Sequence, residues 1–288
     1  RQFREAASRG EGFDRIIVHF QPGILYRPGA RAAISKVRTS LSLLRLVRRR
    51  TQTEILVHEA DRPTLWRPDH LILRQVFAEA SLLFHTEAER KALEHHYRVR
   101  VRARLVDHRE GVVVRNPQAR GEARRRLGLS PNEVLFLCAG FLHPMKAYER
   151  AVRAFAEVGA PGRLAIVGSV RNETEENLAY AAKLRSLADQ TPGVSFIEAF
   201  LTDEEFGAWI AAADRLVLPY TRAWSSGVLA RARVIGTPAI VSAVGGLAEQ
   251  AGPDDELFHS DDDLRRLLRR HASREWSAQA VGEEESGT

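Results

Sequence analysis

The 288-residue chain has one cysteine, one methionine and few aromatics, only 7% of its residues. The lone cysteine, Cys138, excludes an internal disulfide and any multi-cysteine metal site. Its position in the apolar run before Gly140 predicts a buried, inert thiol. No apolar stretch approaches the roughly 18 residues of a membrane-spanning helix, and there is no signal-peptide pattern. The cytoplasm is therefore the expected compartment. No His/Asp/Glu spacing makes a convincing metal site, and there is no internal repeat or low-complexity block. Basic residues are not interleaved with aromatics, which argues against a nucleic-acid partner. The chain starts at Arg1 without a methionine, so residues are expected to precede it.

Charge is plentiful and uneven. Residues 1–130 hold 27 Lys/Arg against 14 Asp/Glu, a net of +13, while the remainder nets −7. A basic first half suits an acidic partner: a lipid phosphate, an anionic membrane surface or a phosphorylated acceptor. It suits equally a solvated, arginine-rich surface. The stretch Ala30–Arg50 reads as an amphipathic helix, with Val37, Leu41, Leu43, Leu44 and Val47 apolar and Arg45, Arg48, Arg49 and Arg50 basic. Such a helix either covers a sheet or lies on an anionic membrane.

Strands and helices alternate along the chain. Strands are expected at Phe13–Phe20, Thr53–His58, Ser81–His85 and either Val101–Val106 or Val112–Val114. Helices are expected at Asp69–Ala80 and Thr86–Tyr97, the latter with Thr86 and Glu89 spaced as a capping box. Asn116–Glu122, with Pro117 and Gly121, reads as a linker, followed by a short arginine-rich helix. The alternation then restarts with strands Glu133–Ala139, Arg163–Gly168, Val194–Ala199, Arg215–Pro219 and Pro238–Ser242. Such a pattern predicts mostly parallel, doubly wound α/β sheets. The expected divisions are a domain at 1–115, a linker at 116–132 and a second domain at 133–288.

Ligands of doubly wound sheets bind beyond the carboxyl ends of the strands. Several small or charged residues fall there: Gly140 to Lys146, Gly168-Ser169, Ser225-Ser226-Gly227 and Gly245-Gly246. Small residues let a ligand approach the backbone, and a helix starting at Gly227 offers unpaired N–H groups to an anion. A phosphate or diphosphate is the expected guest, with Lys146 as a point charge. At the end of the second strand, His58 is followed by Glu59 and Asp61, carboxylates able to orient an acceptor hydroxyl or take its proton. His19 and His85 close neighbouring strands on the same edge.

Gly236-Thr237-Pro238, Gly245-Gly246-Leu247-Ala248-Glu249 and the turn from Gly140 to Lys146 together resemble the nucleotide-binding domain of retaining GT-B glycosyltransferases, family 4. The resemblance implies two Rossmann-like domains, the first one truncated here because its opening glycine-rich βα unit is not seen. It implies a nucleotide-diphosphate sugar as donor and no metal or further cofactor; the acceptor is left open, and the basic first half suits one of acidic or lipid-linked kind. Peripheral contact with the inner membrane surface is a corollary of the basic first half. His58 corresponds to the histidine that faces the sugar. The match has gaps. Phe141 stands where the family has an arginine and Ala147 where it has a glycine. The family's Glu-x7-Glu pair falls on Ala223 and Arg231, or with a one-residue shift on Ala230. Arg231 is expected to meet a phosphate instead. These losses leave open a rival expectation, a non-catalytic relative acting as a nucleotide-binding or scaffolding subunit.

Overall fold

A computed structural model describes residues 14–25, 32–49, 52–58, 68–107, 117–159 and 161–272. The chain divides into two compact units, Arg1–His108 and Arg109–Thr288.

The first unit is a four-stranded sheet of β1 (Ile16–Phe20), β2 (Thr53–Val57), β3 (Ser81–Phe84) and β4 (Arg102–Leu105). The strands lie in that order and every pairing is parallel. Short apolar runs such as Ser-Leu-Leu-Phe are what a parallel sheet covered by helices requires. The connections are α1 (Pro22–Leu25), α2 (Ala32–Arg49), α3 (Pro68–Glu79) and α4 (Glu87–Tyr97). The amphipathic α2 is a cover helix: Leu43, Leu44, Leu46 and Val47 are buried, and Arg45, Arg48 and Arg49 stay exposed. Arg48 forks onto Glu79 at 2.8 and 2.7 Å, fastening α2 to α3. The capping box of α4 is present, with the Glu89 amide donating to Thr86 Oγ1 at 3.2 Å and the Thr86 amide to Glu89 Oε2 at 3.1 Å. Phe13, Arg50 and Val112–Val114 lie outside the described residues.

The second unit starts with α5 (Pro117–Arg126), followed by β5 (Leu135–Ala139), α6 (Tyr148–Val158), β6 (Arg163–Gly168), α7 (Glu175–Asp189) and β7 (Val194–Glu198). It continues with α8 (Asp203–Ala212), β8 (Arg215–Leu218), α9 (Gly227–Ile235), β9 (Ala239–Ser242), α10 (Leu247–Gln250), β10 (Glu256–Phe258) and α11 (Asp261–Ala272). The sheet order is β10-β9-β8-β5-β6-β7, again wholly parallel. The chain runs outward from β5 to β7, then returns through α8 to start the other half at β8. Right-handed crossovers put α6 and α7 on one face and α9 on the other. In agreement, α11 packs on α6, and α8 packs on α5 and α9. All five residues of β5 are buried, Cys138 among them, and burial pushes that thiol well up from its ordinary range.

Residues 117–122, expected as a linker, join the expected arginine-rich helix in a single α5, which is clamped into the second unit. The guanidinium of Arg124 is buried and donates to the carbonyls of Ala212 (3.1 Å), Pro131 (2.9 Å) and Glu133 (2.6 Å). Arg124 and Arg120 both reach the Asp214 carboxylate, which also accepts the Leu135 amide at 2.7 Å. Strand β10 was not expected; three residues after Gly-Pro-Asp-Asp are too few to show a period.

Candidate functional site

Topology fixes the site before any side chain does. Strand order reverses between β5 and β8, and a doubly wound sheet opens its ligand crevice at that reversal, beyond the carboxyl ends. The turn after β5 runs from Gly140 to Lys146, and the turn after β8 from Pro219 to Ser226. The two are joined: the Thr221 amide donates to the Met145 carbonyl at 3.0 Å, and Thr221 Oγ1 adds a 3.3 Å bond. From the next strand, Ser242 Oγ donates to the Tyr220 carbonyl at 2.8 Å.

Lys146 ends a short 3₁₀ turn, Pro144–Lys146, capped by His143, whose Nδ1 accepts the Met145 amide at 3.2 Å. Its ammonium sits 3.8 Å from the centroid of the buried Tyr220 ring. It forms no ion pair among the described residues. The following residue, Ala147, has φ +46° and ψ 40°, a left-handed backbone that favours glycine. That conformation is the physical content of the glycine that the family resemblance expects at this position.

Two glycines are required by space. A Cβ on Gly168 would lie 1.8 Å from the Gly140 carbonyl oxygen, so the turns after β5 and β6 meet backbone to backbone. On Gly245, at φ +51°, a Cβ would lie 2.0 Å from the Ala223 carbonyl oxygen. Gly246 donates its amide to that same oxygen at 3.3 Å, tying the turns after β8 and β9 together. Gly140 has φ +119° and would press a Cβ on Val228 of α9 at 3.3 Å.

Other expected residues have other duties. Ser226 is buried and caps α9, its Oγ accepting the Leu229 amide at 3.3 Å. Ser225 is half-buried beside it, and Gly227 is the first residue of the helix. Arg231, expected to meet a phosphate, is engaged by α8 in this structure. Its guanidinium bonds the Asp203 carboxylate at 3.1 Å and lies 5.4 Å from the Phe206 ring centroid, fastening α9 to α8. Ala230 is buried near the start of α9.

In the first unit the parallel register pairs His19 with Leu56, two residues before His58 and on the same face. Two residues beyond the pairing of Leu56 with Leu83, His58 falls beside His85. The three imidazoles cluster. His19 Nδ1 lies 2.8 Å from His58 Nε2, and the His58 and His85 ring centroids are 5.8 Å apart. His85 Nδ1 lies 3.0 Å from the Val106 carbonyl oxygen. Burial, then the neighbouring His19 and His85, pushes the His58 pKa down to about 4. His58 is thus a neutral ring near pH 7, suited to orienting a hydroxyl and a poor proton acceptor. Glu59 and Asp61 lie outside the described residues. Among the described residues, no group of three or more His, Cys, Asp or Glu side chains is placed to hold a metal ion. No described helix is long and apolar enough to cross a membrane.

Sequence reasoning missed three residues of this edge: Tyr220, Thr221 and Arg171. The first two follow a strand directly, and that position was their only signal.

Two parallel α/β units, the second with glycine turns gathered at its strand-order reversal, define the GT-B fold class. Residues 133–271 match the family model of glycosyl transferases group 1, and this segment is a domain of that family. Curated relatives include D-inositol 3-phosphate glycosyltransferases. That of Nocardioides sp. is 34% identical over 46% of this chain and 31% of its own length. That of Streptomyces bingchenggensis is 34% identical over 68% of this chain and 46% of its own length. The chain thus spans about half or less of these relatives. Among solved structures, Anabaena HepE in complex with UDP superposes with a TM-score of 0.66 at 15% identity, covering 93% of this chain and 71% of that one. Sucrose-phosphate synthase of Thermosynechococcus elongatus gives 0.67 at 18% identity, covering 93% and 66%. At these identities the likeness is one of fold.

Proposed function

We propose that the chain acts as a glycosyltransferase, moving a sugar from a nucleotide-diphosphate donor to an acceptor hydroxyl with retention of configuration. One observation carries the reading: the Gly140–Lys146 turn and the turn after β8 are bonded through Thr221 at the strand-order reversal, with the Lys146 charge outside any described ion pair. HepE, a fold neighbour, has been solved with UDP and with UDP-glucose, which supports a uridine diphosphate donor. The names of the curated relatives support an acceptor of the phosphorylated polyol kind, and the net +13 of residues 1–130 suits it.

In this mechanism the bond from the anomeric carbon to the diphosphate oxygen breaks as the acceptor oxygen bonds to the same carbon on the same face. Charge accumulates on the departing diphosphate, where Lys146 and the amides of the glycine turns neutralise it. His58 orients the acceptor as a neutral imidazole, and Glu59 or Asp61 takes the hydroxyl proton. The test is release of UDP from UDP-sugars in the presence of inositol phosphate. Acceptor-dependent release supports transfer.

The second reading is a nucleotide-binding subunit without turnover. It is favoured by Ala223 and Arg231 at the family's glutamate positions, Arg231 being engaged with Asp203. Binding without release under any acceptor would establish it.

A further inference from the structure

We infer that Arg171, a residue of the turn after β6, is the second cation of the diphosphate site and acts with Lys146. The inference rests on the donor-binding reading above. Most arginines of the second unit are consumed by carboxylates or carbonyls: Arg120 and Arg124 at Asp214, Arg150 at Asp261, Arg185 at Glu198, Arg231 at Asp203. Arg171 is different. It is exposed, forms no ion pair among the described residues, and holds its guanidinium 5.2 Å from the centroid of the Phe141 ring. Lys146 is held the same way over Tyr220. Two cations are thus parked on aromatic faces at the two ends of one turn, Gly140 to Lys146.

The turn that carries Arg171 is built to stay in place. Gly168 meets Gly140 backbone to backbone, and the Leu142 amide donates to the Ser169 carbonyl at 2.9 Å. Val170 packs against the core. The Asn172 carbonyl accepts from Asn177 Nδ2 at 2.9 Å and from the Thr174 amide at 2.8 Å. The Arg171 side chain is exposed beyond this fixed backbone. A ring face at an exposed site holds a cation more weakly than a charge-assisted hydrogen bond to phosphate does. A diphosphate therefore wins Arg171 from Phe141 when it arrives, and the planar fork can grip two of its oxygens.

The test is calorimetry with UDP, GDP and ADP, each beside its monophosphate, on the full chain and on Arg171→Ala, Arg171→Lys and Phe141→Arg/Arg171→Ala. For the tightest diphosphate, Arg171→Ala is expected to lose about tenfold in affinity. The monophosphate should lose less. Arg171→Lys should retain part of the affinity, and Phe141→Arg in the Arg171→Ala background should regain part of it, since it returns a cation to the same turn. Diphosphate affinity within twofold of the unaltered chain in Arg171→Ala overturns this inference alone. If the unaltered chain binds none of the three diphosphates, the donor-binding reading falls and this inference falls with it.

Discussion

Single atoms decide how much of the proposed site tolerates change. Gly168 has ordinary φ, so the obstacle to a side chain there is space alone. Its Cβ would enter the Gly140 carbonyl, a backbone atom that yields only by moving β5 or β6. Gly168→Ala is therefore expected to cost about 2–3 kcal/mol, read as a lowered urea midpoint. A midpoint equal to the unaltered chain's would mean that the turns do not meet as described. His58 gives a prediction of a different kind. Its folded pKa of about 4 lies below the ordinary histidine value, because burial and then His19 and His85 disfavour the charged ring. The unfolded chain binds that proton more readily, so stability rises with pH across this window. On acidification from about 6.5 to about 4, the stability contributed by neutral His58 is lost. The ring is half-buried, so solvent screening reduces the effect to on the order of 1 kcal/mol. His58→Asn should flatten that part of the pH–stability curve; an unchanged slope would assign the acid sensitivity to other groups. His58→Ala should also reduce transfer far more than nucleotide affinity, whereas equal losses would mark a structural histidine.

Elements are held by few, well-placed charges. Helix α5 belongs to the second unit because Arg124 is buried there, bonded to three carbonyls and to Asp214. Removing the cation leaves those carbonyls and that carboxylate short of a partner. Arg124→Ala is expected to cost about 3–5 kcal/mol in chemical denaturation, the range for breaking a buried pair. A loss under about 1 kcal/mol, the scale of an exposed pair, would show that α5 is peripheral. The alternation of strands and helices was legible because β5, β6, β8 and β9 carry short uninterrupted apolar runs and several helices a cap or an amphipathic period. The capping box of Thr86 and Glu89 was readable for the same reason: it is local. What was not legible depends on distant partners. Arg231 looks like a ligand residue in the sequence, and only the packing of α9 on α8 shows that Asp203 and Phe206 take it. Pro117 and Gly121 suggested a linker, and only Asp214, more than ninety positions later, explains why a helix forms there. The turn residues Gly140, Lys146, Gly168 and Gly245 stood out because strand ends and glycine geometry are sequence-local, but which turns touch is set by sheet order.

For the whole molecule, the proposal is a nucleoside-diphosphate site at the strand-order reversal of the second unit, with Lys146 as a principal cation. The opposite charges of the two halves of the chain fit a division of labour. A basic first half suits an anionic acceptor, and glycine turns beside Lys146, which forms no ion pair among the described residues, suit a donor diphosphate. Titration calorimetry of UDP into the full chain and into Lys146→Ala tests this claim most directly. Measurable binding of UDP is expected, weakened by about 1.5–3 kcal/mol in the variant, as for a lost hydrogen bond to a charged group. Equal UDP affinity in the two proteins would contradict it.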